Sequence, residues 1–120
     1  MLTLTTAGRY FLYRPATDMR KSFDSLTGIV RDQLQGNPMS TDVFIFLNRN
    51  RTHIKLLLWE GDGFALYYKR LEKGTYELPV FGQADNKACI TQNQLLLMLQ
   101  GISLKQVHYR KRYMQETASH

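Results

Sequence analysis

Arg49, Arg51, His53, Lys55, Tyr68, Lys69 and Arg70 place cations and flat rings in two short clusters on either side of an apolar run. Such a set can neutralise phosphates and stack on an unpaired base. It can also lie as lysine and arginine stems along a sheet edge, charged heads in water. Arg20 and Lys21 form a second cationic pair. Lys105, His108, Arg110, Lys111 and Arg112, interleaved with Tyr109 and Tyr113, form a third group that suits either a phosphate backbone or a solvated chain end.

Catalytic chemistry has fewer candidates. Phosphoryl transfer normally uses metal ions held by converging carboxylates, and here these would be Asp18, Asp24, Glu60 and Asp62. Each has an ordinary structural reading, as a helix cap, a charge partner or a turn residue. His53, His108 and His120 lack ligand spacing, and Cys89 has no nearby histidine to activate it. Glu60-Gly61-Asp62-Gly63 lacks the alternating oxygen ligands of a calcium loop.

The elements that must position these groups begin with Val43 to Leu71. Val43-Phe44-Ile45-Phe46-Leu47 is apolar throughout and reads as a central strand. Asn48 to Thr52 turns into a second strand, His53 to Trp59, and Glu60 to Gly63 turns into a third, Phe64 to Leu71. Pairing Glu60 with Gly63 sets Trp59 opposite Phe64, Leu57 opposite Leu66, Lys55 opposite Tyr68 and His53 opposite Arg70. One face then collects Val43, Ile45, Leu47, Ile54, Leu56, Leu58, Ala65 and Tyr67. The other carries Phe44, Phe46, Leu57, Trp59, Phe64 and Leu66 at one end and His53, Lys55, Tyr68 and Arg70 at the other.

Arg9 to Tyr13 reads as a short strand added to the edge of this meander. In the next segment Met19, Phe23, Leu26, Val30 and Leu34 form one apolar helical stripe, capped by Asp18 and stopped by Gly36. Arg20 and Lys21 would then sit at the positive end of the helix dipole, costing about 0.3 to 1 kcal/mol each if unpaired. Neutralisation by Asp18 and Asp24, or an anion held by the helix start, would each explain them. Thr75 to Leu78 reads as a fourth strand ended by Pro79, and Phe81 to Ala88 as an irregular connection. Thr91 caps a second helix whose Leu95, Leu96, Met98 and Leu99 form an apolar patch, ended by Gly101. The expected fold is α+β, an antiparallel meander of about four to five strands with two helices packed on it. It spans one domain over residues 1–103, with a basic tail over 104–120.

The whole composition agrees with a folded, basic protein. In 120 residues, 16 Lys and Arg against 10 Asp and Glu leave a net charge of +6, which favours a polyanionic partner. With one cysteine no internal disulfide or cysteine-cluster metal site can form, and a reducing compartment fits. No signal peptide or run of about 20 apolar residues is present, so a soluble, cytoplasmic protein is expected, with no membrane partner.

Several blocks stand in one order: Asp18-Met19-Arg20-Lys21-Ser22-Phe23-Asp24-Ser25-Leu26, Val43-Phe44-Ile45-Phe46, Ile54 to Gly63, Tyr68 to Gly74, and Gln94-Leu95 to Gly101-Ile102. On them, over roughly residues 8 to 103, the chain resembles the TnpB accessory protein, the second open reading frame, of the insertion-sequence family numbered sixty-six. That protein is distinct from the RNA-guided nuclease sharing the TnpB name. The chain departs from the family at Ser22, where glycine is usual, at Glu60, where aspartate is usual, and near Leu58, where a second tryptophan is usual. The resemblance implies a protein encoded beside a transposase and needed for efficient transposition.

The expectation is a non-catalytic accessory protein of DNA transposition and recombination, needing no cofactor or metal. It would bind transposon DNA mostly through phosphates, using Arg20, Lys21, Arg49, Arg51, Lys55, Tyr68, Lys69, Arg70, Arg110, Lys111 and Arg112, and help assemble the complex of transposase and other transposon-encoded proteins. The alternative is a protein adaptor that docks on the transposase through Phe44, Trp59, Phe64 and Leu66, with no direct DNA binding. A metal-dependent nuclease-like enzyme is the remote alternative.

Overall fold

In a computed structural model, residues 8–78 and 86–100 are described. Strand β1 is Tyr10–Tyr13, helix α1 Phe23–Asp32, β2 Val43–Leu47, β3 His53–Trp59, β4 Phe64–Arg70, β5 Lys87–Ile90 and helix α2 Gln92–Leu99. The strands form one sheet in the order β4-β3-β2-β1-β5. All neighbours are antiparallel except β1 and β2, which run parallel. The class is α+β, as the sequence predicts.

The meander has the expected register. His53 faces Arg70, Lys55 faces Tyr68, Leu57 faces Leu66 and Trp59 faces Phe64. The second turn closes with the Glu60 amide donating to the Gly63 carbonyl at 2.9 Å, and Gly61 takes a φ of +90° that an L side chain rarely adopts. Because alternation is unbroken by a bulge, the two faces sort as the sequence requires. Val43, Ile45, Leu47, Ile54, Leu56 and Leu58 pack with Leu95, Met98 and Leu99 of α2. Phe44, Phe46 and Leu57 pack with Leu26, Val30 and Leu34 of the α1 segment. Each helix therefore covers one face. Every fully buried leucine or phenylalanine here contributes about 1.5 to 3 kcal/mol of burial.

Three local expectations change. First, β1 adds to the edge of the meander beside β2 as expected, but it runs parallel to β2, and β5 pairs along its other side. A strand, a helix and a second strand in succession commonly form a parallel crossover, and α1 supplies it here. Second, Thr75 to Leu78 is no strand. Tyr76 instead folds its ring wholly into the core, while its amide donates to the Arg51 carbonyl at 2.7 Å. The additional strand is Lys87–Ile90, part of which was expected to be irregular. Ala88 and Ile90 point into the core and Lys87 lies over the Phe11 ring, 4.2 Å from its centre. Pro79 and residues 81–85 lie outside the described residues.

Third, α1 begins at Phe23, with Ser22 as its N-cap residue, so Asp18, Arg20 and Lys21 precede the helix. Its end is turned by Gln35, whose φ is +53°, and the Gly36 amide donates to the Val30 carbonyl at 2.9 Å. Gly36 matters for a different reason. A Cβ there would lie 3.2 Å from the Phe44 ring. In the second helix Thr91 caps as expected, forming a reciprocal capping box with Gln94, and Leu95, Met98 and Leu99 are buried. Leu96, expected in the same patch, is exposed because it falls off the face that meets the sheet. Gly101 lies outside the described residues.

Candidate nucleic-acid interface

The turn between β2 and β3 is organised by Asn48. Its side-chain oxygen accepts the amides of Thr52 and His53 at 2.9 and 3.0 Å, which fixes the amide's orientation. Its nitrogen therefore faces the Thr52 hydroxyl at 2.9 Å and His53 Nδ1 at 3.2 Å. In the neutral ring Nδ1 must then accept, so the proton sits on Nε2. Between these anchors Arg49, Asn50 and Arg51 are exposed. Arg51 has a φ of +57°, a conformation costly for a residue with a side chain and retained where the surroundings enforce it.

Facing this turn is the segment before α1. The Thr17 amide donates to the Leu47 carbonyl at 2.8 Å, tying the segment to the end of β2. Asp18 accepts the Arg20 amide at 2.9 Å and grips the Arg20 guanidinium, the shortest contact being 2.6 Å. These bonds, with the nearby charges of Arg20 and Lys21, hold the Asp18 carboxyl down at about 2. The segment is also fastened from below. The Lys55 ammonium donates to the carbonyls of Met19 and Lys21 at 2.7 and 2.6 Å. Burial pulls its pKa below the ordinary lysine value, with the Asp18 charge acting in the opposite direction.

Two adjoining hollows result. The larger, about 490 Å³, has Thr17, Asp18, Asn48, Arg49, Asn50 and His53 among its lining residues. The smaller, about 140 Å³, is lined by Arg14, Arg49 and Arg51 together with Leu12, Leu47 and Leu78. Arg49 belongs to both. Thr17 is 4% exposed, and its buried hydroxyl has no hydrogen-bond partner among the described residues. Leaving such a group unmet costs about 1 to 3 kcal/mol.

The expected DNA-binding residues divide accordingly. Lys21, Arg49 and Arg51 are exposed, with no acidic partner among the described residues. Arg20 and Arg70 are exposed too, but pair with Asp18 and Glu72 at 2.6 and 2.8 Å. Tyr68 is 52% exposed, its ring 5.8 Å from that of His53. Lys55 is 5% exposed and bonds protein carbonyls, so it supports the surface without offering its charge to a ligand. Lys69 points to the opposite face, its ammonium bonded to the Leu99 carbonyl at the end of α2. Arg110, Lys111 and Arg112 lie outside the described residues.

The expected docking patch is divided as well. Phe44 is 1% exposed beneath α1 and offers no surface. Trp59, Phe64 and Leu66 are half-buried, with Trp59 and Phe64 edge to face at 4.9 Å. Among the described residues no three His, Cys, Asp or Glu side chains converge to hold a metal ion, and no helix is long and apolar enough to cross a membrane.

A family model described as IS66 Orf2-like protein matches residues 8–109. The chain belongs to the IS66 Orf2-like family. That family points to an accessory role in transposition. The match runs beyond residue 103, so Lys105, His108 and Tyr109 fall inside it and Arg110 to Arg112 outside. The chain is similar to uncharacterized protein y4hO of Sinorhizobium fredii, 36% identical over 87 residues that cover 72% of this chain and 73% of that protein. Uncharacterized protein y4jC of the same organism is 29% identical over 62 residues, covering 52% of this chain and 53% of the other. No solved structure matches.

Within this IS66 Orf2-like fold, Thr17, Asn50 and Arg14 were not singled out from the sequence. Arg14 follows a strand already marked by its apolar residues, and its proximity to the β2–β3 turn depends on the parallel pairing of β1. Asn48-Arg49-Asn50 carried a signal, because two asparagines flanking an arginine in a turn offer donors and acceptors beside a charge. Nothing in the sequence marks Thr17.

Proposed function

We propose that this IS66 Orf2-like protein is a non-catalytic accessory factor of transposition that holds transposon DNA by its phosphates and thereby helps assemble the transposase complex. The observation that carries the reading is the exposure of Arg49 and Arg51, unpaired with acids among the described residues, on the smaller hollow. Arginine forks suit phosphate oxygens, and contacts of this kind position a protein without reading sequence. With Lys21, three exposed cations without an acidic partner among the described residues lie on the segments at this end of the sheet. Fluorescence anisotropy on a labelled duplex across a salt series tests it. Three phosphate contacts predict a log-log slope of about −3, and the Arg49→Glu, Arg51→Glu double variant should abolish binding. Undiminished affinity of that variant would remove the proposal.

A second reading is favoured by the half-buried Trp59–Phe64 pair at the far hairpin. It is a protein adaptor whose Trp59, Phe64 and Leu66 meet the transposase. Binding to DNA that occurs only with transposase present, and is lost in Trp59→Ala but not in the arginine variant, would select it.

A further inference from the structure

We infer that the larger hollow receives the base of a single unpaired nucleotide while the smaller receives its phosphate. The inference takes from the DNA-contact reading only the source of that nucleotide, a DNA strand.

The two hollows differ in chemistry as the two halves of a nucleotide do. Around the smaller stand Arg14, Arg49 and Arg51, a cationic setting for a phosphate. The larger offers hydrogen-bonding groups of both kinds: the Asn50 amide, the His53 ring and the Asp18 carboxylate. Arg51 lines only the smaller hollow, whereas the Asp18 carboxylate of the larger one is already paired with Arg20, so the phosphate belongs on the arginine side and the uncharged base in the larger hollow. A base edge presents donors and acceptors together, and unpaired bases are bound through both. The larger hollow, at about 490 Å³, falls within the range of small-molecule sites. Arg49, common to both hollows, stands where base and phosphate would join.

Tyr68, exposed beside the His53 ring, provides a surface on which a neighbouring base can stack.

The test compares a blunt duplex with the same duplex carrying a short single-stranded tail, at one salt concentration, using the full chain. A deoxynucleoside monophosphate serves as a third ligand. The tailed duplex should bind about tenfold tighter than the blunt one, the worth of one bound base. Asn50→Ala and the near-isosteric Asn50→Leu, both at an exposed position lining the larger hollow, should each reduce that preference and leave blunt-duplex affinity unchanged. Circular dichroism melting confirms that both variants fold. Equal binding of tailed and blunt duplexes overturns the inference and leaves the phosphate-contact reading standing. A preference that survives both substitutions places the tail elsewhere and also overturns it. Binding of the monophosphate alone, lost in Asn50→Ala, keeps the nucleotide site and removes the DNA reading. Failure of all three ligands removes both.

Discussion

The Lys55 ammonium stands 4.6 Å from the centre of the Tyr68 ring, across the β3–β4 pair, and donates at the same time to the carbonyls of Met19 and Lys21. One buried charge thus connects an exposed ring, the sheet and the segment that carries Asp18 and Arg20. The cation supports the candidate interface from beneath.

Lys55→Met should keep the stem's packing and remove the bonds. Two carbonyls lose a charged donor, so unfolding by urea should show a loss of about 1.5 to 3 kcal/mol. Amide hydrogen exchange should quicken at residues 19–23 while the β3–β4 ladder stays protected. A variant as stable as the parent would show that the ammonium fastens nothing.

Acid stability should report on Asp18. Its carboxyl titrates at about 2 in the folded protein because Arg20 binds the ionised form, whereas an unfolded aspartate titrates near ~3.9. Below the unfolded value the unfolded chain takes up the proton first. The contribution of Asp18 is therefore complete above about 4 and is lost as the pH falls toward 2. Asp18→Asn should flatten the acid limb in that window, and parallel limbs for parent and variant would contradict the assignment.

At Gly36 an alanine Cβ would meet Phe44 Cε1 at 3.2 Å, Phe44 Cζ at 3.3 Å and Val30 Cγ1 at 3.3 Å. Phe44 is 1% exposed and stacked on Phe11 with ring centres 6.0 Å apart, so it has little room to yield. Overpacking should outweigh the entropic gain of replacing a glycine, for a net loss of about 1 kcal/mol. Adding Phe44→Leu should recover part of it. A Gly36→Ala protein with an unchanged or raised melting temperature would count against this packing.

Single cations should rank by whether they are already engaged. Arg49→Ala should reduce the salt slope of DNA binding by about 0.9, the value of one phosphate contact. Lys69→Ala should leave the slope unchanged, because its ammonium serves the end of α2 on the opposite face. Arg20→Ala should have a smaller effect than Arg49→Ala, since Asp18 already neutralises Arg20. Equal slopes for Arg49→Ala and Lys69→Ala would break this ranking.

Much of the fold was legible beforehand because its signals are local. The Glu60 to Gly63 turn set the β3–β4 register, and alternation along His53 to Trp59 sorted side chains between faces. The Lys87–Ile90 strand was hidden because a four-residue run containing lysine, alanine and cysteine has little strand character. It becomes a strand by pairing with β1.

The sequence by itself determined the meander, its register, the buried residues Leu26, Val30, Leu34, Leu95, Met98 and Leu99 of the two helical segments, and a family membership resting on several ordered blocks. Only the tertiary structure decided which charges are available. Arg49, Lys55 and Lys69 are alike as sequence symbols, yet one is exposed on the turn, one is buried under residues 19 and 21, and one serves the opposite helix. Periodicity and turn chemistry are properties of neighbours along the chain. Where an ammonium finds its acceptors depends on which distant segment covers it, and the pairing of Thr17 with Leu47 joins segments that sequence spacing leaves unrelated.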